Sequence, residues 1–326
     1  MIRRVVGVAL VAVALGACTT HVTGTPTPVP DPTPTSKPKT QVTAEDLLGD
    51  LAAVDPCGFV QARDLKEFGE VAQGARESLD SCLLTVTTKS GAKLEVTFGT
   101  LEQLESESEL KGSVEDYDGL RIAEDPDASN RCARRIVFED LVTLAVSVDN
   151  FSSGSATTQE LCEIVDRATE TTADVVLAKK AEHWKYPAKS VGKLDACEAA
   201  RASLAQVPGL SSPKVRVYPA RHQCRWSNDG TASTPRARVT YAIGTPTTPG
   251  GDNAVREDVG GRPTVILKSA SATVAFCAAE TTHIPFEGGV QELAIVTVSL
   301  PSGTPVDQAC AAAKAVAAEA WAKLPK

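Results

Sequence analysis

Nine cysteines occur in this chain, and eight of them fall into two sets of four with closely matched spacing. Cys57, Cys82, Cys132 and Cys162 stand 25, 50 and 30 positions apart; Cys197, Cys224, Cys277 and Cys310 stand 27, 53 and 33 apart. Their surroundings repeat as well. Asp55-Pro56-Cys57 answers Asp195-Ala196-Cys197, and Leu141 to Val148 (LVTLAVSV) answers Leu293 to Leu300 (LAIVTVSL). Val96-Thr97-Phe98-Gly99-Thr100 begins 14 residues after Cys82, and Val239-Thr240-Tyr241 begins 15 after Cys224. The fourth cysteines sit in matching contexts too, Gln159-Glu160-Leu161-Cys162 and Asp307-Gln308-Ala309-Cys310. Self-similarity at this period predicts two tandem homologous domains of about 140 residues, an ordinary domain size.

The ninth cysteine, Cys18, has no counterpart. Arg3 and Arg4 precede an apolar run from Val5 to Leu15, which ends in Leu15-Gly16-Ala17-Cys18. Eleven apolar residues fall short of the roughly 20 that a membrane-spanning helix needs, but they suit a signal peptide. The final tetrapeptide resembles the lipobox of bacterial lipoproteins. Residues 1–17 are therefore expected to be a leader. Cys18, its thiol alkylated by a diacylglyceryl group, is expected to be the membrane attachment on the outer face of the cytoplasmic membrane. Residues 18–41 hold six prolines among threonines, a composition that favours extended polyproline II over a packed core. The domain bounds that follow are 42–180, an inter-domain linker at 181–193, and 194–326.

In an exported chain, an even set of cysteines implies disulfides. Four per domain allow three connectivities, among which sequence does not choose. Neighbours in order (57–82, 132–162, 197–224, 277–310) is the expectation adopted. Zinc is disfavoured because no closely spaced C-x-x-C pair exists, so no metal and no cofactor is expected.

Thr43 to Lys66 and Leu194 to Ala205 read as opening helices. Cys82 to Thr87 and Lys93 to Phe98 alternate apolar and polar around Lys89-Ser90-Gly91, a hairpin with one buried face. Ala133 to Phe138 and Leu141 to Val148 form a second strand pair. Leu161, Val165, Ala168, Thr172 and Val175 make a helical stripe, as do Val306, Cys310, Ala313, Ala317 and Trp321. The expected class is α+β: in each domain an antiparallel sheet packed by N- and C-terminal helices and stapled by two disulfides.

Charge divides unevenly. Residues 41–180 carry 13 Lys and Arg against 28 Asp and Glu, while residues 181–326 carry 16 against 12. The acidity concentrates between Leu101 and Leu120, which reads as a solvated helix face. An acidic domain argues against a nucleic-acid partner.

No catalytic motif stands out. S-x-x-K strings starting at Ser36, Ser90, Ser108, Ser190 and Ser211 lack the partner motifs of penicillin-recognising enzymes. Asp125-Pro126-Asp127-Ala128-Ser129 lacks the glycine and the bidentate Glu of a calcium loop. Trp226, two residues after Cys224, is expected to pack against a disulfide in the core. His183, Trp184 and Tyr186 lie at the inter-domain junction, where they either hold the domains together or touch a ligand in a crevice.

Asp55-Pro56-Cys57, with Cys224-Arg225-Trp226 in the other copy, resembles a family of actinobacterial cell-envelope lipoproteins of unknown function. Their domain carries an Asp-Pro-Cys start and a Cys-x-Trp strand behind a lipidated leader and a Thr/Pro linker. The cysteine layout is also similar to the extracellular sensor domains of some actinobacterial membrane kinases. This resemblance implies compartment and fold rather than activity. The expectation is a non-enzymatic binding, sensing or scaffolding module of the envelope, partnered by the membrane through its lipid and by an envelope protein or small ligand. A cell-envelope hydrolase or a lipid carrier is the alternative.

Overall fold

The computed structural model describes residues 42–126, 128–151, 156–230, 233–271 and 273–326. The leader, Cys18 and the Thr/Pro segment lie outside the described residues, as does Asp127.

The first half contains α1 (Ala44–Leu48), β1 (Val54–Asp55), β2 (Gly69–Gln73), β3 (Cys82–Thr88), β4 (Lys93–Gln103), β5 (Val114–Tyr117), β6 (Leu120–Glu124), β7 (Arg131–Val137), β8 (Val142–Asp149) and α2 (Thr158–Leu177). The second half contains β9 (Glu182–His183), β10 (Lys214–Val217), β11 (Gln223–Ser227), β12 (Arg236–Gly244), β13 (Ala254–Val259), β14 (Arg262–Ala270), β15 (Val274–Pro285), β16 (Gln291–Pro301) and α3 (Val306–Ala322). Two seven-stranded antiparallel sheets result, ordered β2-β3-β4-β8-β7-β6-β5 and β10-β11-β12-β16-β15-β14-β13. Each is a pair of meanders joined along one ladder, β4–β8 or β12–β16. α2 lies against β7 and β8, and α3 against β14, β15 and β16.

Period-two alternation explains the strands. On β3 the side chains of Cys82, Leu84, Val86 and Thr88 are buried while their neighbours are only partly so. Cys82 faces Phe98 and Val86 faces Leu94 in the β3–β4 hairpin. Gly91 turns that hairpin with φ +86°, a conformation that a residue with a Cβ resists. α2 begins with a capping box between Thr157 and Glu160 and buries Leu161, Val165, Ala168 and Thr172. Val176 is buried on that face, whereas Val175 is only partly so. Four disulfides join Cys57–Cys82, Cys132–Cys162, Cys197–Cys224 and Cys277–Cys310. Each ties one element to another: a 3₁₀ turn to β3 or β11, and β7 or β15 to its helix. In the chain-entropy model, loops of this length contribute roughly 3–4 kcal/mol each.

The structure corrects the sequence reading at three places. The first is the opening helices. Residues 43–66 form only the short α1, then β1 and the 3₁₀ turns Pro56–Gly58 and Ala62–Asp64. Gly49 ends α1 at φ +77°, and the residue before a proline is driven to extended backbone, as Asp55 shows at φ −88°, ψ 105°. Residues 194–205 likewise hold two 3₁₀ turns rather than a helix, with Ala196, Ala199, Ala200 and Leu204 buried. Their apolar spacing marks buried turns stapled by Cys197.

The second correction concerns the acidic run. It is no helix face; it comprises the end of β4, the 3₁₀ turn Glu107–Glu109, and β5. The third concerns residues 181–193, which read as a linker but are built into the structure. β9 pairs with β1, Val54 against His183 and Asp55 against Glu182, and Trp184 and Val191 are buried.

Candidate functional site

The segment from Glu182 to Lys193 lies between the halves and touches both. The Trp184 backbone N–H donates to the Ala53 carbonyl at 2.6 Å, and its indole N–H to the Leu79 carbonyl at 3.2 Å. Phe286 meets the Trp184 ring edge-on with centroids 5.5 Å apart, and the Arg76 guanidinium lies 5.1 Å from the indole. Leu79, from the first half, is buried within the hydrophobic cluster of the second. Trp184 is therefore a buried strut, with its one polar atom committed to a backbone carbonyl. His183 is exposed, and its Nε2 lies 2.8 Å from the Leu48 carbonyl. The Tyr186 hydroxyl donates to the Ala52 carbonyl at 3.0 Å, and its ring meets His222 at 6.0 Å.

Behind Tyr186 lies a buried polar cluster. His222 Nδ1 stands 2.5 Å from Asp80 Oδ1, and its Nε2 stands 3.0 Å from the Gly192 carbonyl. Gln223 donates to the other Asp80 oxygen at 3.1 Å. Both partners are buried, His222 at 1% and Asp80 at 7% exposure. Burial by itself favours the neutral ring, but the Asp80 charge and the two hydrogen bonds outweigh it and raise the His222 pKa above its ordinary value. Nearby, the fully buried Glu292 accepts from the Ser190 hydroxyl at 2.5 Å and from the Val191 N–H at 2.9 Å. Burial, and then the charges of Asp80 and Glu292, push the Tyr186 hydroxyl pKa upward, so it remains a neutral donor.

A pocket of about 310 Å³ opens in front of this cluster, lined by Asp50, Trp184, Tyr186, Gly192, Lys193 and Arg221. It has an aromatic wall with both signs of charge at the rim, which suits a small polar ligand carrying opposite charges. Of the three junction residues singled out in the sequence, Trp184 and Tyr186 line it and His183 does not. Asp80, His222 and Glu292 carry no sequence signature. His222 is merely one of four histidines, and its partner lies 142 positions away.

Other depressions differ in character. One of about 330 Å³ is acidic, with Glu115, Asp116, Glu124, Asp166 and Glu170 around Arg134. Arg134 bridges Asp166 at 2.9 Å and Glu124 at 3.5 Å. Burial raises the Asp166 pKa, the charge of Arg134 lowers it, and Glu124 and Glu115 raise it further; the net shift is upward. Among the described residues, no group of three His, Cys, Asp or Glu is arranged to hold a metal ion. An apolar groove of about 530 Å³ runs beneath β10, with Leu204, Val215, Val217 and Trp226 beside Cys197. Trp226 is buried in the same cluster as Cys224. Ser190 donates to Glu292, and Asp125 pairs with Arg135 at 2.8 Å. Among the described residues, no helix is long and apolar enough to cross a membrane.

Residues 13–174 match a family described as a protein of unknown function (DUF3558), a match over just under half of the chain. No curated protein matches it. A similar solved structure is DynU16, a protein of the dynemicin biosynthetic locus, at 11% identity over 86% of this chain and 91% of that one. The TM-score is 0.17, at which the likeness carries no argument.

Proposed function

We propose that this chain is a lipid-anchored extracytoplasmic binding or sensing module, built from two copies of one domain, 42–180 and 194–326, that takes a small ligand in the pocket beside Tyr186. The pocket itself carries the binding reading. Its walls come from both halves, Asp50 from one and Lys193 and Arg221 from the other, and its back rests on the buried Asp80–His222 pair. A site assembled from both halves and lined by two aromatics, Trp184 and Tyr186, suits recognition.

The duplication reading draws support from three matched features: the two strand orders, the two pairs of disulfides, and the position of the Asp80–His222 pair. Asp80 stands two residues before Cys82, and His222 stands two residues before Cys224. Contact between equivalent positions is the mark of an isologous interface. Cys18 serves as the anchor and residues 19–41 as the spacer. Catalysis is not part of the proposal.

The binding reading is tested by native mass spectrometry of the full chain extracted from membranes with mild detergent. A small ligand should be retained and released on denaturation. The double charge reversal Lys193→Glu with Arg221→Glu, both at exposed positions, should abolish retention without lowering Tm. Retention that survives the reversal would sink the pocket assignment. In the same spectra the mature chain should begin at a diacylglyceryl-modified Cys18, and an N-terminus elsewhere would remove the anchor.

A further inference from the structure

The face of the second sheet that points away from α3 carries more positive charge than its packing requires. On β11 and β12 the residues facing the core are Cys224, Trp226, Ala237 and Val239, all buried. By strand alternation the intervening residues lie on the opposite face. There Arg216 pairs directly with Arg225, which pairs directly with Arg238. Lys214, Ser227 and Arg236 make a parallel row on the same face. Opposed residues in an antiparallel ladder stand about 4.5–5.5 Å apart at Cα, so the three arginines of one row fall within about 10 Å. Like charges directly opposite one another destabilise a sheet.

Little on the protein compensates Arg216, Arg225 and Arg238. Glu109, from the first half, reaches Arg216 at 3.3 Å. Among the described residues, Arg225 and Arg238 form no ion pair. The Arg225 Nη2 donates to the Gly230 carbonyl at 3.3 Å. Its Nε is the one buried side-chain nitrogen or oxygen among the described residues that lacks a hydrogen-bond partner. Such an orphan calls for an explanation, an absent ion among them. Burial, followed by the charges of Arg238 and Arg225, holds the Arg236 pKa below its usual value.

The fold does not need these arginines. One residue after the second cysteine stands Arg225 in the second sheet and Leu83 in the first, where Gly74 and Thr97 flank it in place of Arg216 and Arg238. The first sheet forms the same ladder without a charge at any of the three positions.

We propose that this face is a binding site for a phosphoryl oxyanion, held by the forks of Arg225 and Arg238 with Arg216 and Arg236 beside them. Guanidinium forks match phosphate geometry bidentately. A lone carboxylate would neutralise only one member of the row, whereas a phosphate monoester brings about −1.5 to −2 at neutral pH. Arg216 also borders a cleft of about 470 Å³ of mixed charge, where Arg135 is paired with Glu102 and Asp125 of the first half, which gives a neutral attached group room to extend. This site is separate from the pocket at Tyr186 and does not depend on the reading given to it.

The test is isothermal titration of the detergent-solubilised full chain at low ionic strength, with sodium chloride of matched ionic strength as control. One arm uses inorganic pyrophosphate, the other sn-glycerol 3-phosphate, a phosphate monoester and the soluble headgroup of the anionic lipid phosphatidic acid. Saturable binding in either arm, weakened at least tenfold in R225Q/R238Q, is the expected result, and the arm that binds identifies the source. The variant should keep its Tm or gain a few degrees because a repulsion is removed, which separates lost binding from lost folding. Absence of saturable binding in both arms, or binding that R225Q/R238Q leaves unchanged, overturns the proposal.

Discussion

His222 offers two ring nitrogens to two acceptors, the Asp80 carboxylate and the Gly192 carbonyl, a pairing that favours the doubly protonated ring and raises its pKa. A group whose pKa is raised on folding stabilises fully below its unfolded value, near 6.5, and loses that contribution as pH rises through the folded value. The Tm of the full chain should therefore fall as pH is raised from about 6 to 9. In H222Q that slope should flatten, and an unchanged slope would show that the pair does not titrate. Asp80→Ala removes one partner of a buried pair, a change that typically costs about 3–5 kcal/mol, readable as a shift in urea midpoint at pH 6. None of this was visible in the sequence, since neither residue belongs to a motif and the pair forms only when two sheets meet. Trp184 and Tyr186, by contrast, were legible as junction residues from aromatic identity and position alone. What sequence could not separate was strut from pocket wall, a distinction set by where the indole N–H points.

The hairpin of β3 and β4 was readable because every second residue is apolar and Gly91 marks the turn. The stripes of α2 and α3 were readable because a 3.6-residue period extends over 17 to 20 residues. The segments around Cys57 and Cys197 were not, because a few buried alanines and leucines satisfy helical spacing and turn spacing equally well. Gly99 shows how closely one such turn is fitted. It lies at the irregularity of the β4–β8 ladder, between Phe98 and Leu101, with φ +110°. A Cβ there would stand 2.2 Å from the Pro56 Cβ and 3.2 Å from the Asp80 carbonyl oxygen. Only glycine lets the Asp-Pro-Cys turn rest on β4. Gly99→Ala should therefore add a steric clash to the roughly 1–3 kcal/mol of backbone strain. Gly91→Ala, at φ +86° with nothing within 4 Å, should show the strain alone. Urea denaturation of the two variants compares them directly, and equal losses would mean that the Pro56 contact is unimportant.

At the scale of the whole chain, the matched cysteine spacing leads to an expectation of two tandem domains, and the structure contains two seven-stranded antiparallel sheets of matching strand order. The spacing could not announce that residues 181–193 pack between the halves, because a stretch with three lysines and a proline among small residues has the composition of a spacer. Burial of Trp184 overrides that composition. Its indole is hydrogen-bonded to Leu79, and Leu79 itself sits in the core of the other half. A core residue lent across the junction, a buried Asp80–His222 pair and the β1–β9 ladder together couple the unfolding of each half to that of the other. The oxidised full chain should thus melt in a single calorimetric transition, with calorimetric and van't Hoff enthalpies equal. Trp184→Ala removes the strut at a cost of about 3–5 kcal/mol. Because four disulfides still brace the sheets individually, the loss should fall on the junction and split the melt into two transitions. The mildly basic second half, freed from the acidic first, should then show the stronger dependence on added phosphate. A wild-type melt already resolved into two peaks would mean that the junction transmits no stability between the halves.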